Sequence, residues 1–217
     1  MMSALYVFAL TGHTTAPFTV RGHRIEFLDV ADMHAAVESR SEPLGMSESS
    51  LRDQHDIVVR LFEQIEDVLP ARFGAMIEER ELRDIMTARR SVIHDALALV
   101  RGRVQMTVRF REAIESMPRR DAAVAPDPQT GTAYLEARRK ASRTMPALAG
   151  LVTKALADVT LAERSEAGTE RAQAVLYHLI GRGDVARYLD AISRLQSPAV
   201  NVTGPWPPFA FAPDLWP

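Results

Sequence analysis

A nine-residue segment in the middle of the chain, 103–111, alternates strictly between apolar and polar side chains. Its apolar positions are Val104, Met106, Val108 and Phe110, and the positions between them are Arg103, Gln105, Thr107, Arg109 and Arg111. Because successive side chains of a β-strand point to opposite faces, this pattern predicts a strand with one dry and one solvated face. Such a strand is typical of an open sheet that is covered on one side.

Helical and strand patterns alternate on both sides of this segment. The predicted strands from residue 70 onwards are 71–77, 103–111, 174–180 and 199–203, and the predicted helices between them are 79–100, 133–163 and 185–195. Four strands with helices on one face predict an α+β sandwich of the ferredoxin-like kind. The one-sided strand at 103–111 favours this fold over a doubly wound sheet.

The first residues predict a separate small domain. Residues 4–10 and 24–30 favour strands, and residues 34–38 fit either a strand or a helical turn. Residues 39–50 are rich in Ser, Glu, Pro and Gly, which is typical of a linker. The predicted boundaries are residues 1–45 for an N-terminal α+β domain, 46–203 for a C-terminal ferredoxin-like α+β domain, and 204–217 for a Pro/aromatic tail.

An amphipathic helix is predicted directly after the linker. Its apolar stripe is Ile57, Leu61, Ile65 and Leu69. Ser47 or Ser50 is a suitable N-cap, and Pro70 is expected to end the helix.

The sequence contains no pattern of catalytic or metal chemistry. There is no cysteine, so disulfides and thiolate sites are excluded. The six histidines show no i, i+3 or i+4 pair, and His178 lies in an apolar strand, where a hydrogen-bonded core role is expected. The formal net charge of −2 does not attract nucleic acid or an anionic membrane. We therefore expect a cytoplasmic protein that is not an enzyme, with no cofactor, metal, nucleic acid or membrane partner.

The C-terminal residues 203–217 combine five prolines with four aromatic side chains. Proline excludes this segment from a helix interior or a central strand. Burying an aromatic side chain is worth roughly 2 kcal/mol, so the aromatic residues favour a docked tail. The docking surface can belong to the same chain or to a partner, and the residues alone leave both alternatives open.

Two further groups are candidate binding surfaces. Arg72, Phe73 and Gly74 lie in the predicted strand 71–77, where Gly74 would permit a close backbone approach or a bulge. From the residues alone, ordinary core packing is the favoured explanation of this segment. Arg103, Arg109 and Arg111 form a basic stripe on the predicted polar face. The stripe has no interleaved aromatic residues, so a solvated or partner-docking face is favoured over nucleic-acid binding.

The tail carries a resemblance to a known family. Residues 202–211, Val-Thr-Gly-Pro-Trp-Pro-Pro-Phe-Ala-Phe, resemble the closing signature of the gas vesicle protein F/L family. Further similar segments are Leu5–Phe8, His55–Val58, Val68–Gly74, Tyr134-Leu135 and Arg138-Arg139. The chain departs from the family at 105–109, where members often carry Glu-Trp and Lys, and at Phe209, where Tyr is usual.

The resemblance implies an N-terminal α+β domain and a C-terminal domain with a modified ferredoxin-like fold and extra helices. It also implies a role in gas vesicle formation and buoyancy, location at the gas vesicle, and no catalytic residues. The expected partners are the hydrophobic shell protein and other gas vesicle accessory proteins. The short length favours the F branch. The candidate contact residues are Arg72, Phe73, Gly74, Arg103, Arg109, Arg111, Trp206, Phe209 and Phe211.

Two alternatives to an assembly helper stay open at this point. One is a small-molecule-binding or enzymatic ferredoxin-like domain that uses His13, His55 or His94 near a cleft. The other is a purely structural component of the shell. Convergence of the histidines and carboxylates in one deep pocket would favour the first alternative.

Overall fold

The computed structural model describes residues 4–110, 147–167 and 174–215. They form two compact units. Unit 1 contains the residues up to Gln105 together with the C-terminal segment from Pro205, and unit 2 is Met106–Gly204. The chain is thus a two-domain α+β protein, as the sequence predicts.

Unit 1 is built on a six-stranded sheet. Its strands are β1 (Ala4–Thr11), β2 (Phe18–Val20), β3 (His23–Val30), β4 (Met33–Arg40), β5 (Val68–Pro70) and β6 (Met76–Ile77). The order is β2-β3-β4-β1-β5, and β6 also pairs with β1. The side chains of β1 are buried along nearly its whole length, which makes it the centre of the unit. The ambiguous residues 34–38 belong to strand β4.

The observed division of the chain differs from the predicted boundary at residue 45. Strands β5 and β6 follow the predicted linker, yet both pair antiparallel with β1. They satisfy backbone groups along an edge of β1 that would otherwise lack partners. The segment up to Gln105 therefore belongs with the N-terminal strands.

Three helices complete unit 1: α1 (Glu48–Gln64), α2 (Glu79–Ala88) and α3 (Arg90–Val100). Ser47 caps α1 by accepting a hydrogen bond from the Ser50 amide at 3.1 Å, as predicted. The predicted end at Pro70 is wrong, because α1 stops at Gln64 and Leu69 is buried in β5. A short apolar run fits a helix or a strand equally well until its pairing partner is known.

The single helix predicted for 79–100 is divided at Arg89, whose φ of −104° and ψ of 16° are not helical. The two parts are fixed to different points of the β3–β4 hairpin. Arg83 of α2 donates to the Asp29 carbonyl, whereas Arg90 and His94 of α3 contact the Asp32 carboxylate. The hydrogen bond from Arg90 is the main cause that lowers the pKa of Asp32.

The second sheet has four strands, and most of its residues belong to unit 2. The elements in chain order are β7 (Arg103–Phe110), α4 (Ala147–Leu156), β8 (Ala162–Glu166), β9 (Val175–Gly181), α5 (Val185–Ser193) and β10 (Val200–Trp206). The strand order is β10-β7-β9-β8. A β-α-β-β-α-β sequence with this order is the ferredoxin-like arrangement, so the predicted fold class is confirmed.

Three details of this sheet correct the predictions. The helix predicted up to residue 163 ends at Leu156, and 162–166 is strand β8, which takes the place of the predicted strand 71–77. The predicted wet face of β7 is wet only towards its ends, because Gln105 and Thr107 are buried while Arg109 is exposed. Alternation identifies the two faces of a strand, but it does not reveal what packs on the polar one.

Some predictions fall on parts of the chain that the structure does not describe. They are Arg111 and the helix start at 133–146. Within the described residues, no helix is both long and apolar enough to cross a membrane.

Candidate partner-binding surfaces

The segment Arg72-Phe73-Gly74 is a turn between β5 and β6, not part of a strand as predicted. Gly74 has a φ of +84°, which is outside the range of a strand and favours glycine. Arg72 is exposed, and Phe73 is partly buried with its ring edge-on to Tyr6 at 6.5 Å. The turn therefore presents one charged side chain outward and anchors itself through its aromatic ring.

A buried hydrogen-bond chain holds this turn in place. The Gly74 amide donates to the Tyr6 hydroxyl at 2.9 Å, and that hydroxyl donates to Gln54 Oε1 at 2.5 Å. Gln54 Nε2 in turn donates to the Ala71 carbonyl at 3.0 Å. Burial raises the pKa of the Tyr6 hydroxyl, so it stays protonated as this arrangement requires.

Sequence reasoning did not single out Tyr6 or Gln54. The available indication was the position of Gln54, three residues before Ile57 on the apolar stripe of α1. A polar side chain on an otherwise apolar stripe needs a buried partner, and here the partners are Tyr6 and Ala71.

We expect Gly74→Ala to lower the free energy of unfolding by about 1–2 kcal/mol, because an L-residue is strained at positive φ. No atom lies within 4 Å of the added methyl group, so any loss reports the backbone alone. The matched control is Gly150→Ala inside helix α4, which also has open space and should stabilise by about 0.5–1 kcal/mol. Urea denaturation of both variants tests this; equal effects would contradict the role of the backbone conformation.

The C-terminal tail docks on unit 1 of its own chain. Phe211 is only 2% exposed, and Pro207 and Pro208 are also buried. Phe211 lies in a short 3₁₀ turn, Phe209–Phe211, which follows β10. The Ala210 amide donates to Gln105 Oε1 at 2.7 Å. Of the two docking alternatives that the sequence left open, the structure has the intramolecular one.

Two aromatic residues of the tail face outward. Trp206 is 36% exposed and Phe209 is 38% exposed. The imidazole of His55 on α1 is stacked on the Phe209 ring, with 6.3 Å between the ring centroids, and it meets the Trp206 ring edge-on, with 5.8 Å between the centroids. The exposed Leu51 lies one helical turn before His55. We call Leu51, His55, Trp206 and Phe209 the aromatic patch.

The turn and the tail also contact each other within unit 1. Arg72 forms an ion pair with Asp214 at 3.2 Å, and both side chains are largely exposed. Such a pair is worth at most about 1 kcal/mol. A cleft of about 320 Å³ lies between 70–72 and the tail residues Phe209 and 212–214. A second cleft of about 290 Å³ is lined by 72–77 and Glu81.

The predicted basic stripe does not form a uniform solvated face. Arg103 donates to the Leu99 carbonyl at 2.6 Å, near the last turn of α3, where a cation is favourable. Arg109 donates to Thr203 Oγ1 at 3.2 Å. The structure does not describe Arg111, and the two positions between Arg103 and Arg109 on this face are buried.

The three histidines of the enzymatic alternative have different partners. His13 contacts the buried carboxylate of Asp67, which also binds Arg101. His94 contacts Asp32, and His55 belongs to the aromatic patch. Among the described residues, no group of three His, Cys, Asp or Glu side chains is arranged to hold a metal ion.

These features define a two-domain α+β protein with a ferredoxin-like second unit and a Pro/aromatic tail docked on the first. The family model described as gas vesicle synthesis protein GvpL/GvpF matches residues 4–213, and the chain belongs to this family. No curated protein matches the chain significantly.

Solved structures of gas vesicle proteins are similar to this chain in fold. The crystal structure of the gas vesicle protein GvpF from Anabaena sp. PCC7120 has a TM-score of 0.72 at 10% identity, and the match covers 98% of this chain and 97% of that one. The crystal structure of GvpF from Microcystis aeruginosa has a TM-score of 0.70 at 14% identity, with coverage of 98% and 100%. At these identities the likeness establishes the fold.

Proposed function

We propose that this chain supports gas vesicle assembly by binding the hydrophobic shell protein and other accessory proteins. The observation that carries the proposal is the match of the gas vesicle synthesis family over residues 4–213. Its expected location is the gas vesicle and the surrounding cytoplasm. The family is described by gas vesicle synthesis and not by a reaction, in agreement with a binding function.

A physical need for such a helper follows from the nature of the shell subunit. A small and very apolar subunit aggregates in water unless its apolar surface is covered. A folded protein with outward apolar side chains can cover that surface before the subunit joins the growing shell. On this chain the aromatic patch is a candidate contact surface, together with the exposed Arg72 of the neighbouring turn.

The first test asks whether the aromatic patch binds the shell protein, in variants that keep the fold of the parent chain. We expect a Trp206→Ser/Phe209→Ser double variant to recover at least fivefold less shell protein in co-purification, because about 1 kcal/mol of lost apolar contact already corresponds to a factor of about five. The matched control is Val92→Ser on α3, which removes a similarly exposed apolar side chain outside the patch. Both variants must first show cooperative unfolding like that of the parent chain.

Equal recovery of shell protein by the parent, the double variant and the control would remove the patch from the proposal. Serine substitutions are preferable to a truncation after Thr203, because a truncation also removes the end of β10 and the buried Phe211.

A second test addresses the assembly function itself. Deletion of the gene should abolish or reduce gas vesicles in electron micrographs, and the parent sequence should restore them. Normal vesicles after deletion would refute an assembly function.

A third test distinguishes a structural shell component from a transient helper. Isolated vesicles are washed free of loosely bound protein and then probed for this chain. A structural component stays on the vesicles, whereas a transient helper is lost.

A further inference from the structure

A chain of side-chain hydrogen bonds, exposed at one end and buried at the other, connects four elements of unit 2. Thr153 of α4 donates to Glu163 Oε2 of β8 at 2.9 Å. The same oxygen lies 3.0 Å from His178 Nε2 on β9, and His178 Nδ1 lies 2.6 Å from the Tyr188 hydroxyl of α5. Both His178 and Tyr188 are completely buried. The expectation of a hydrogen-bonded core histidine at 178 is thus confirmed.

The chemistry of the partners assigns the proton positions in this chain. A carboxylate can only accept, so His178 Nε2 carries a hydrogen and donates it to Glu163. In a neutral imidazole the other nitrogen is then an acceptor, and Tyr188 donates its hydroxyl hydrogen to Nδ1. Neutral His178 therefore satisfies both ring nitrogens and both neighbours at once.

One added proton breaks this arrangement. Protonated Nδ1 becomes a donor that faces the Tyr188 hydroxyl, and the hydroxyl hydrogen must turn away from the ring. Tyr188 is fully buried, so that hydrogen loses its partner in the chain. We propose that Thr153, Glu163, His178 and Tyr188 form an acid-sensitive clamp that holds α5 against the sheet while His178 is neutral and loosens it when His178 binds a proton.

The electrostatic surroundings agree with this geometry. Burial lowers the pKa of His178, although Glu163 opposes the change, so the ring is neutral in the folded unit at neutral pH. Burial also raises the pKa of Tyr188, and Glu163 adds to this, so the hydroxyl keeps its hydrogen. The charged group that contacts the ring from β8 is Glu163, and the titratable group that contacts it from α5 is the neutral Tyr188 hydroxyl. Helix α4 contributes Thr153, which acts through Glu163. Tyr177, the neighbour of His178 on β9, bonds to Glu166 instead.

The sign of the pH effect follows from the direction of the shift. A histidine whose pKa is lower in the folded state binds its proton first in the unfolded state. The stabilisation is complete above the ordinary histidine pKa of 6.5 and is lost as the pH falls through the lower folded value. Acid should therefore loosen α5 in unit 2, and this expectation holds whether or not the proposed assembly function is correct.

The test compares the full chain with a His178→Gln variant. The glutamine amide group can donate to Glu163 and its carbonyl oxygen can accept from Tyr188, so it resembles neutral histidine at every pH. Amide hydrogen exchange, corrected for its intrinsic pH dependence, is measured between pH 7.5 and 5. We expect the protection of the α5 amides in the parent chain to fall at least tenfold over this range, and to stay constant within twofold in the variant.

Nitrogen NMR shifts of the His178 ring in the parent chain give an independent measurement. The clamp requires a neutral ring with hydrogen on Nε2 at pH 7 and a titration midpoint below 6.5. Equal loss of α5 protection in parent and variant, or a ring that is already protonated at pH 7, would overturn the proposal. If the variant does not fold, the tautomer and the midpoint in the parent chain still decide between the outcomes.

Discussion

Phe211→Ala should lower the free energy of unfolding by about 3–5 kcal/mol, the usual range for deleting a fully buried phenylalanine side chain. The Phe211 side chain is 2% exposed, and its burial holds the tail on unit 1. The free energy of unfolding of a domain of this size is only about 5–15 kcal/mol, so the loss is a large part of the total. Urea denaturation monitored by tryptophan fluorescence and by circular dichroism measures it.

Phe209→Ala is the control for this prediction. The same residue type lies two positions earlier in the same turn, but it is 38% exposed. We expect Phe209→Ala to lower the free energy of unfolding by only about 1 kcal/mol, because part of the Phe209 surface is already in water and its main contact is the stacked His55 ring. Similar losses for Phe209→Ala and Phe211→Ala would mean that the tail is not held by the burial of Phe211.

The second large effect is expected for Tyr6→Phe, which should lower the free energy of unfolding by about 1–3 kcal/mol. The change removes one hydroxyl, leaves the buried Gln54 Oε1 without a partner, and takes away the acceptor of the exposed Gly74 amide. An unsatisfied buried group is more costly than the net value of a hydrogen bond, because it lost its water on folding and gains nothing in return. The loss should increase hydrogen exchange at Gly74 as well.

Tyr177→Phe is the matched control, because its hydroxyl bonds to Glu166 at an exposed position. Water replaces that bond, and the expected loss is below about 0.5 kcal/mol. No difference between Tyr6→Phe and Tyr177→Phe would contradict the role of the buried chain.

Local patterns predicted those elements whose signals lie within a few neighbouring residues. The Ser47 cap bonds to Ser50, only three residues away, so the start of α1 was predictable. The predicted helix end at residue 100 is observed in α3, and Gly102 follows it with a φ of +67°. The apolar run 174–180 similarly indicated β9. In each case the physical determinant is the local backbone or the local hydrophobic period.

Elements that depend on distant partners were predicted incorrectly. Leu69 has helical spacing to Ile65, but it lies in β5 because Leu10 of β1 offers it a backbone partner. Strand β8 was missed: its first two residues were assigned to a helix and the other three to no element, because its pairing with β9 is not visible in its own five residues. Short strands obtain most of their stability from cross-strand contacts, which a single segment does not contain.

The candidate surfaces show the same division between local and distant determinants. The sequence by itself determined that the tail is stiff, aromatic and unable to form a helix, because proline and aromatic chemistry are properties of the residues. It also determined the α+β class and, through the resemblance, the family. Only the tertiary structure decided that Phe211 turns inward while Trp206 and Phe209 face outward, and that Tyr6 supports Gly74. Those outcomes depend on which atoms pack around each ring. The packing exists only after folding has brought together residues that are distant in the chain, such as Tyr6 and Gly74, 68 positions apart, and Gln105 and Ala210, 105 positions apart.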